Sequence, residues 1–474
     1  MEQARLVISG LSGGSGKTLA SLGLVRHFSR SGLAVQPFKK GPDYIDYAWL
    51  ALAARRPAAC LDPYFLDDEA LLAQFSRICR RPADITVIEG NRGLFDGRDA
   101  AGSCSTSHVA QLLDAPVLLT MNCAKMTRTA AAIVAGMAAF EPGLRLAGVL
   151  LNNVAGTRHA SMLRQAIENY TDIPVLGVIP RLRENPLPER HLGLALSMAD
   201  ASTDALLERL ADLLAENADV SAILDLARTA PALPSLPGSA DAQPSMPESS
   251  VPDISEQRPA PDAARPRIGY VLDEALWFYY QENLDALRDA GAELVPLSLL
   301  DPAPWPELDG LYLGGGYPEL FADAISTSPH LAHIRELSLA EKPIYAECGG
   351  FMVLCKALLL EDGPRAMSDL FPPSPRFFRH PQGLGYVTAR TVRENPFHPL
   401  DSLWAGHEFH YSRCEWPEGP KPDACLALSP GVGMYEQDGV RFDGLCVRKT
   451  FACWTHLFAP AVPHWASNFV EAAR

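Results

Sequence analysis

A proline-rich segment near the middle of the chain limits the folds that the chain can adopt. The 38 residues from Thr229 to Pro266 contain nine prolines and few large apolar side chains. Such a segment cannot bury enough apolar surface to fold, so it is expected to be a semi-extended linker. The 474-residue chain is therefore predicted to form two domains, residues 1–228 and 267–474, each long enough to bury its own core.

Both parts show apolar, strand-like runs that alternate with helical patterns. Alternation of this kind is typical of α/β folds in which helices cover both faces of a parallel sheet. In the N-terminal part, strands are predicted at Leu6–Ile8, Ile85–Ile88, Pro116–Thr120, Leu146–Leu151 and Pro174–Val178, and helices at Thr18–Ser29, Thr127–Phe140 and Ala160–Asn169. In the C-terminal part, strands are predicted at Arg267–Val271, Glu293–Pro296, Gly310–Leu313, Pro343–Ala346, Gly385–Thr391, Gly406–Trp416 and Phe451–Thr455. An open sheet with its ligand at the carboxyl ends of the strands is expected there.

Charge, hydropathy and cysteine content exclude several classes of protein. The net charge of −15 argues against nucleic-acid binding, because contacts to phosphates need a basic face. No apolar run approaches the roughly 18 residues of a membrane span, and the chain enters its first strand without a signal peptide. The ten cysteines contain no Cys-x-x-Cys pair, so neither a disulfide framework nor a zinc site is indicated. We expect a cytoplasmic enzyme, either a monomer or a homodimer.

A glycine-rich loop follows the first predicted strand and precedes the first predicted helix. Its backbone can curl around phosphates, Lys17 can reach the terminal phosphates, and the hydroxyl of Thr18 can hold Mg²⁺. The spacing from Gly10 to the Gly-Lys pair is that of the dethiobiotin synthetase type of loop, because Leu11 occupies the usual position of the first glycine. The predicted ATP-binding residues of the loop are Gly10, Gly13, Gly14, Ser15, Gly16, Lys17 and Thr18.

Two groups of carboxylates lie near this loop in the predicted fold. Glu89 ends a predicted strand, where it is placed to bind Mg²⁺; the alternative is a solvated acid at the start of a turn. The segment from Lys39 to Asp46 contributes two carboxylates and two lysines. Its spacing alone does not distinguish a functional role from an ordinary charged turn.

Cys348 follows a short apolar run and precedes two glycines, a pattern typical of a strand-to-helix turn that presents a nucleophile. A thiolate nucleophile needs a base and an oxyanion hole, and the run Gly314–Gly316 can supply backbone N–H groups for the latter. His456, His407 and His410 are all candidates for the base, and their positions in the sequence do not decide between them. The alternative for Cys348 is a buried, inert thiol.

Taken together, these residues resemble the cobyrinic acid a,c-diamide synthase family of glutamine-dependent amidotransferases. The resemblance covers nearly all of the chain except the proline-rich segment. It rests on the Ser-Gly-Lys-Thr loop, Lys40–Asp46, Glu89–Gly97, Ser105–Thr106, Pro188–Leu194, Phe278–Asn283, Tyr312–Phe321, Tyr345–Gly350, Gly406–Ser412 and Thr455–His456.

The resemblance implies a division of labour between the two domains. The C-terminal domain would be a class I glutaminase in which Cys348 attacks the glutamine amide and His456 moves the proton. The oxyanion would be held near Gly315 and Gly316. The N-terminal domain, of dethiobiotin-synthetase-like type, would use ATP and Mg²⁺ to activate a peripheral carboxylate of a tetrapyrrole. By the same resemblance, metal ligands would be Thr18, Asp46 and Glu89, the acid substrate would contact Asp43, Tyr44, Ile45, Asp46 and Asp96, and Asn152 would lie near the nucleotide base.

Two positions depart from the family pattern. Class I glutaminases usually carry an acid two residues after the histidine, whereas this chain has Phe458 there. A Cys-His dyad is therefore predicted, with no residue assigned to orient His456. The second departure is in Asn91–Arg92 and in the stretch Asn122–Thr129, which differ from the commonest cobyrinate synthase patterns. The substrate is thus expected to be cobyrinate or hydrogenobyrinate, with sirohaem or nickel-sirohydrochlorin as the alternative. A binding or regulatory homologue with a decayed glutaminase is a third hypothesis.

Overall fold

A computed structural model describes residues 3–183, 201–234 and 265–474 of the chain. The chain divides into two compact units, Met1–Pro247 and Glu248–Arg474. Most of the predicted linker and the Pro188–Leu194 motif lie outside the described residues. None of the helices in these described ranges combines the length and the hydropathy that a membrane-spanning segment requires.

The first unit is built on a parallel sheet with the strand order β3-β2-β4-β1-β5-β6-β7. Its strands are β1 Arg5–Gly10, β2 Val35–Lys39, β3 Ala59–Cys60, β4 Ile85–Glu89, β5 Val117–Asn122, β6 Leu146–Val154 and β7 Val175–Pro180. Its helices are α1 Lys17–Arg30, α2 Tyr44–Ala54, α3 Asp68–Ile78, α4 Thr106–Leu112, α5 Thr129–Phe140, α6 Thr157–Tyr170, α7 Ala201–Asn217 and α8 Val220–Arg228. The prediction of a parallel α/β sheet is confirmed.

The central position of β1 places the phosphate loop at the middle of this sheet. β1 pairs with β4 on one side and with β5 on the other, and all six of its residues are buried. Because parallel strands point the same way, Gly10, Glu89 and Asn122 end at the same edge of the sheet. Helix α1 then covers the sheet, and its buried Arg26 forms ion pairs with Asp204 and Glu208 of α7.

Strand β2 did not stand out in the sequence, although it is completely buried. Its five residues include the polar Gln36 and Lys39, which interrupt the apolar pattern. Gln36 Nε2 donates to the carbonyl of Pro57 at 3.1 Å, and Lys39 is paired with carboxylates described below. Because both polar groups are satisfied inside the fold, their burial is tolerated, but hydropathy alone does not indicate it.

The second unit combines a mixed α/β main sheet with smaller sheets, in which most neighbouring strands are antiparallel. Its strands are β8 Arg267–Val271, β9 Leu276–Phe278, β10 Glu293–Leu297, β11 Gly310–Leu313, β12 Gly315–Gly316, β13 Ile344–Glu347, β14 Ala357–Leu360, β15 Gly363–Ala366, β16 Ser374–Phe377, β17 Gly383–Thr391, β18 Leu403–His410, β19 Ser412–Glu415, β20 Leu426–Leu428, β21 Tyr435–Gln437, β22 Val440–Asp443, β23 Leu445–Val447, β24 Thr450–Cys453 and β25 His456–Leu457. Its helices are α9 Gln281–Asp289, α10 Ala322–Ser326, α11 His330–Leu339, α12 Gly349–Leu354 and α13 Pro463–Ala473, with 3₁₀ turns at Pro318–Phe321 and Ala459–Ala461.

The main sheet of this unit has the order β10-β8-β11-β13-β24-β23, and only its last strand is antiparallel to its neighbour. Successive residues point to opposite faces: Leu311 and Leu313 join one buried cluster, and Tyr312 joins the other. Burial of each such side chain stabilises the fold by about 1.5–3 kcal/mol relative to exposure. The two clusters hold β11 and β13 firmly on both faces.

The predicted strand Gly406–Trp416 is two strands in the structure. β18 pairs with β17 and β25, whereas β19 pairs with β16 in a separate four-stranded sheet. Because the apolar alternation continues through Tyr411, the sequence reads as one strand. The change of sheet results from pairing with partners that are distant in the chain, which alternation does not report.

Candidate active sites

The glycine-rich loop has the geometry of a phosphate-binding turn. Gly14 and Gly16 adopt positive φ angles of 75° and 99°, a region that side chains rarely enter. Nothing lies within 4 Å of a Cβ placed at Gly13 or Gly14, so the crest of the loop is open. A Cβ at Gly10 would lie 2.7 Å from Cβ of Ser15, so the base of the loop is closed. Helix α1 begins directly afterwards, and its N-terminal N–H groups favour an anion at this position.

The remaining loop side chains stabilise this turn. Ser15 Oγ donates to the carbonyl of Ser12 at 3.0 Å and accepts from its N–H at 3.1 Å. Lys17 Nζ donates to the same carbonyl at 2.9 Å, so its ammonium lies over the loop. A cation held at this point is placed to meet phosphate oxygens on the open side of the loop.

Asn152 lies against the loop from β6. A Cβ at Gly16 would overlap Asn152 Nδ2, which also donates to the carbonyl of Ser15 at 3.4 Å. The glycine at position 16 is therefore required both by its φ angle and by this side chain. The neighbouring Asn153 donates to Asn122 Oδ1 at 3.2 Å, so amide groups line this edge of the sheet.

The three predicted metal ligands meet beside the loop, together with a lysine that had no predicted role. Thr18 Oγ1 donates to Glu89 Oε1 at 2.8 Å. Lys39 Nζ lies between the two acids, 2.6 Å from Asp46 Oδ2 and 3.1 Å from Glu89 Oε1. All three charged side chains are at most 3% exposed. The sequence does not indicate that Lys39 is buried, because Lys39 ends β2, and the hydropathy pattern does not predict β2.

Burial and mutual charge determine the ionisation of this cluster. Burial raises the pKa of Glu89, as does the charge of Asp46, while the ammonium of Lys39 and the hydroxyl of Thr18 act in the opposite direction; the net pKa is raised. Burial lowers the pKa of Lys39, but the two carboxylates outweigh it and the pKa lies above its ordinary value. The lysine is therefore charged and compensates the buried acids.

The donor set fits Mg²⁺. Glu89 Oε2 is buried and has no hydrogen-bond partner among the described residues, so one carboxylate oxygen remains available. Oxygen ligands from a few side chains suit Mg²⁺, which keeps several waters and binds phosphate oxygens as well. Within the described ranges no group of three or more His, Cys, Asp or Glu side chains has an arrangement that could hold a metal ion by itself, so a site enclosed by such ligands is not indicated there.

The predicted acid-binding residues lie on two adjoining turns. Asp43 caps α2 by accepting from the N–H of Asp46 at 3.1 Å, while Tyr44 and Ile45 are buried in the first turn of the helix. The turn after β4 is held by Asp96, whose Oδ2 accepts from the N–H of Gly93 at 2.8 Å.

These two turns approach each other closely and adjoin a cavity. A Cβ at Gly41 would lie 2.6 Å from Nδ2 of Asn91. Arg92 and Asp96 of the second turn line a cavity of about 520 Å³, together with Phe95, Phe140 and Glu141. Asp96 therefore lines a cavity, whereas Asp43 caps α2 and Asp46 pairs with Lys39.

Cys348 occupies a strained turn between β13 and α12. Its φ of 46° and ψ of −102° are unusual for a residue with a side chain, and such strain costs about 1–3 kcal/mol. Its N–H donates to the carbonyl of Cys453 at 2.8 Å, which fixes the turn to β24. A Cβ at Gly349 would lie 2.8 Å from the N of Gly316, and one at Gly350 would overlap the carbonyl of Leu313. The predicted strand-to-helix turn is present, with glycines wherever it contacts the Gly314–Gly316 loop.

The structure separates the three candidate bases. A Cβ at Gly315 would overlap Cε1 of His456, so this imidazole lies directly against the predicted oxyanion loop. His407 stacks on His456 with ring centroids 4.9 Å apart. His410 instead stacks on Trp454, and its Nδ1 is 2.8 Å from the carbonyl of Ser412. His456 is therefore the candidate that faces the loop.

Glu347, immediately before Cys348, had no predicted role. Its Oε2 lies 3.3 Å from His456 Nδ1, and its Oε1 accepts from the N–H of Leu457 at 3.2 Å. The side chain is fully buried, and the hydroxyl of Tyr312 donates to Oε2 at 3.3 Å. The available signal was a charged residue at the end of an otherwise apolar strand, which needs a partner when it is buried.

The resting thiol of Cys348 is held in its neutral form. Cys348 is 3% exposed, and its Sγ lies 3.4 Å from the carbonyl oxygen of Phe409. Burial raises the pKa of Cys348 well above its ordinary value, and the charges of Glu319, Glu347 and Glu408 raise it further. Chemistry at this thiol therefore requires that a base take its proton.

The two sites define a class of protein in which a nucleotide-binding domain is joined to an amidotransferase domain. Residues 6–194 match the CobQ/CobB/MinD/ParA nucleotide binding domain, and residues 267–462 match the CobB/CobQ-like glutamine amidotransferase domain.

Full-length relatives give the particular family. Proteins named cobyrinate a,c-diamide synthase are 39% identical in Magnetococcus marinus, 42% in Syntrophotalea carbinolica and 36% in Archaeoglobus fulgidus. The alignments cover 98%, 100% and 100% of this chain and 95%, 99% and 98% of the respective relatives. The chain belongs to the cobyrinate a,c-diamide synthase family and is a glutamine amidotransferase.

Proposed function

We propose that the protein amidates the a- and c-side-chain carboxylates of cobyrinate, or of its cobalt-free counterpart hydrogenobyrinate, with ammonia from glutamine and energy from ATP. The observation that carries the proposal is the presence in one chain of an open glycine-rich loop beside buried carboxylates, and of a cysteine turn packed against a glycine loop that His456 also contacts. The names of its full-length relatives support the choice of substrate.

Ammonia would be released in the second unit. Cys348 Sγ attacks the amide carbon of glutamine while its proton passes to His456 and then to the leaving nitrogen. N–H groups near Gly315 and Gly316 stabilise the oxyanion that forms on the amide oxygen. Ammonia departs, and water cleaves the resulting thioester to glutamate. The close packing of these glycines against His456 and Gly349 supports this arrangement.

The first unit would activate the acid. A carboxylate is a poor acyl donor, so transfer of the γ-phosphoryl group of ATP converts its oxygen into a leaving group. Ammonia then attacks the acyl phosphate, and phosphate departs to leave an amide. Gly10, Gly13, Gly14, Ser15 and Gly16 enclose the phosphates, Lys17 reaches the terminal ones, and Asn152 lies on the base side of the loop.

Thr18, Asp46 and Glu89 would hold Mg²⁺, with Glu89 Oε2 as the available oxygen. When bound, the ion supplies positive charge that offsets the phosphates. Asp96, which lines the cavity, and Asp43, Tyr44 and Ile45 on the adjoining turn would contact the acid substrate. Lys39 keeps Asp46 and Glu89 in place through its ion pairs.

A second substrate, sirohaem or nickel-sirohydrochlorin, is favoured by one observation. Arg92, at a position that departs from the common family pattern, lines the 520 Å³ cavity beside Asp96. A cation there can pair with a substrate carboxylate, and macrocycles differ in how their carboxylates are arranged.

A mass assay distinguishes these substrates. Purified protein is incubated with ATP, Mg²⁺, glutamine and each macrocycle in turn, and the products are read by high-resolution mass spectrometry. Conversion of two acids to amides in cobyrinate or hydrogenobyrinate is expected. Conversion of sirohaem or nickel-sirohydrochlorin instead selects the second substrate. A complete lack of conversion with every macrocycle contradicts the tetrapyrrole proposal.

A further inference from the structure

A buried hydrogen-bond network connects Glu347 to the imidazole of His456. Glu347 ends β13, which lies between β11 and β24 in the main sheet of the second unit. Its Oε2 is 3.3 Å from His456 Nδ1, and both side chains are at most 1% exposed. Its other oxygen, Oε1, accepts from the N–H of Leu457 at 3.2 Å. One carboxylate therefore contacts both the ring of His456 and the backbone of the next residue.

The carboxylate is itself held by neighbouring side chains. Tyr312 donates its hydroxyl to Glu347 Oε2 at 3.3 Å. Asn283 Nδ2 donates to the hydroxyl of Tyr312 at 3.2 Å and to the carbonyl of Leu457 at 3.1 Å, and Asn283 Oδ1 accepts from Ala459 N at 2.7 Å. Because Asn283 bonds on both sides of the network, the β25 backbone and the carboxylate are fixed relative to each other.

Other buried acids near this site have different partners. Glu408 accepts from the N–H groups of Val432 and Gly433, both at 2.7 Å. Asp443 accepts from the N–H groups of Trp454 and Thr455 and from the hydroxyl of Thr455.

The position two residues after His456 is occupied by Phe458, which lies in apolar surroundings. The ring of Phe458 packs on Tyr280, with centroids 5.1 Å apart. Among the described residues, His456 contacts Glu347 of β13, His407 of β18 and Gly315.

We propose that Glu347 is the positioning carboxylate of the glutaminase and completes a Cys348–His456–Glu347 arrangement in which the acid directly precedes the nucleophile. By accepting from Nδ1–H, it orients the imidazole and keeps Nε2 as the proton acceptor. Its negative charge stabilises the imidazolium that forms when Cys348 loses its proton. In the resting enzyme the distance of 3.3 Å between Glu347 Oε2 and His456 Nδ1 is long for a hydrogen bond. Catalytic hydrogen bonds of this kind shorten when substrate is bound. The inference rests on the proposed roles of Cys348 and His456.

Kinetics of glutamate release by the full chain test this role. Glu347→Gln keeps the size of the side chain but removes its charge, and it disturbs the tautomer of the His456 imidazole. We expect kcat to fall by about 10²–10⁴-fold while KM for glutamine changes little. The acid limb of the kcat profile is expected to move to lower pH, because the imidazolium loses its stabilising charge. Glu347→Asp, which keeps the charge but shortens the side chain, should have an intermediate kcat.

Asp443→Asn is the matched control, because Asp443 is a buried acid that supports Thr455 without contact to the ring of His456. It should keep the wild-type pH profile. Thermal denaturation shows whether Glu347→Gln is folded. If it is not folded, the kcat of Glu347→Asp tests the proposal instead, and a wild-type kcat in Glu347→Asp overturns it. Nitrogen NMR of labelled histidine provides a readout independent of rate, since the Nδ1–H form of His456 should dominate in the wild type. A dominant Nε2–H form contradicts the proposal.

Failure of the underlying function gives a different result. If His456→Ala keeps wild-type glutamate release, the assignment of His456 as base is wrong. If His456→Ala is inactive while Glu347→Gln is folded and fully active, only the Glu347 assignment is wrong.

Discussion

Gly315 lies directly against the imidazole of His456, so that a methyl group at position 315 would overlap the ring carbon Cε1. A Gly315→Ala substitution must therefore move either the loop or the base. We expect glutamine-dependent turnover to fall by about 10²-fold, the cost typical of a displacement of about 1 Å in an active site. Turnover with free ammonia should remain, because the synthetase chemistry is proposed to lie in the first unit. Equal loss with both nitrogen sources would contradict the assignment of this loop to the glutaminase.

Replacing Cys348 should separate the two proposed activities. Cys348→Ala removes the thiol that is proposed to attack glutamine, so glutamine-dependent amidation should be abolished. Amidation with ammonium salts should continue at saturating ammonia. Steady-state assays with each nitrogen donor provide the measurement, and Cys355→Ala, a second buried thiol, is the control expected to keep both activities. Loss of both activities in Cys348→Ala would argue against two separate sites.

The reactivity of Cys348 should depend on pH in a specific direction. Burial and nearby carboxylates raise the pKa of the thiol, so the thiolate is scarce at neutral pH. Alkylation of Cys348 by iodoacetamide in the resting enzyme should therefore be slow at pH 7 and accelerate at a pH above the midpoint of an ordinary cysteine. Peptide mass spectrometry at several pH values measures this rate. Full labelling at pH 6 would show that the thiol is already ionised.

Substitution of Lys17 should affect amidation with glutamine and amidation with ammonia alike. Lys17 Nζ lies over the phosphate loop, 2.9 Å from the carbonyl of Ser12. Lys17→Ala loses the cation expected to contact the terminal phosphates of ATP, so amidation should cease with glutamine and with ammonia. Glutamate release by the isolated glutaminase reaction is the internal control for folding of the second unit. Retained amidation with either donor would remove Lys17 from the phosphate site.

The buried ion pairs of Lys39 predict a large effect on stability. Lys39→Met leaves Asp46 and Glu89 without their compensating charge, and an uncompensated buried charge costs about 3–5 kcal/mol. The free energy of unfolding, from chemical denaturation, should fall by this amount at neutral pH. Lys125→Met, at an exposed position in the same unit, should stay within about 0.5 kcal/mol of the wild type.

The stability loss in Lys39→Met should also shrink on acidification. Burial already raises the pKa of Glu89 in the folded state, and removal of Lys39 takes away the main group that lowers it. The folded variant therefore binds more protons than the unfolded chain above about pH 4, so its stability falls as pH rises. Chemical denaturation at pH 5 and at pH 8 should show that the variant loses more of the wild-type free energy of unfolding at pH 8 than at pH 5. An equal deficit at both values would contradict a role for these carboxylates.

Short local motifs allowed several turns and loops of this protein to be predicted from its sequence. The glycine-rich loop after β1, the turn at Cys348 and the Gly314–Gly316 loop each depend on short runs of glycine beside a strand, and the structure has a turn or loop at each of these places. Strand β2 was missed because its polar residues are paired with distant groups. The change of sheet after His410 was missed because alternation continues through it.

The sequence by itself determined which chemistry to propose for the chain, since Lys17, Glu89 and Cys348 lie in motifs whose geometry is local. Only the tertiary structure decided between three histidines, because the choice depends on pairing of β25 with β18 and on contact with Gly315. It also brought Glu347 to His456 and Lys39 to Glu89, which are 109 and 50 residues apart. Contacts at such separations arise from the packing of the whole sheet, and no local pattern encodes them.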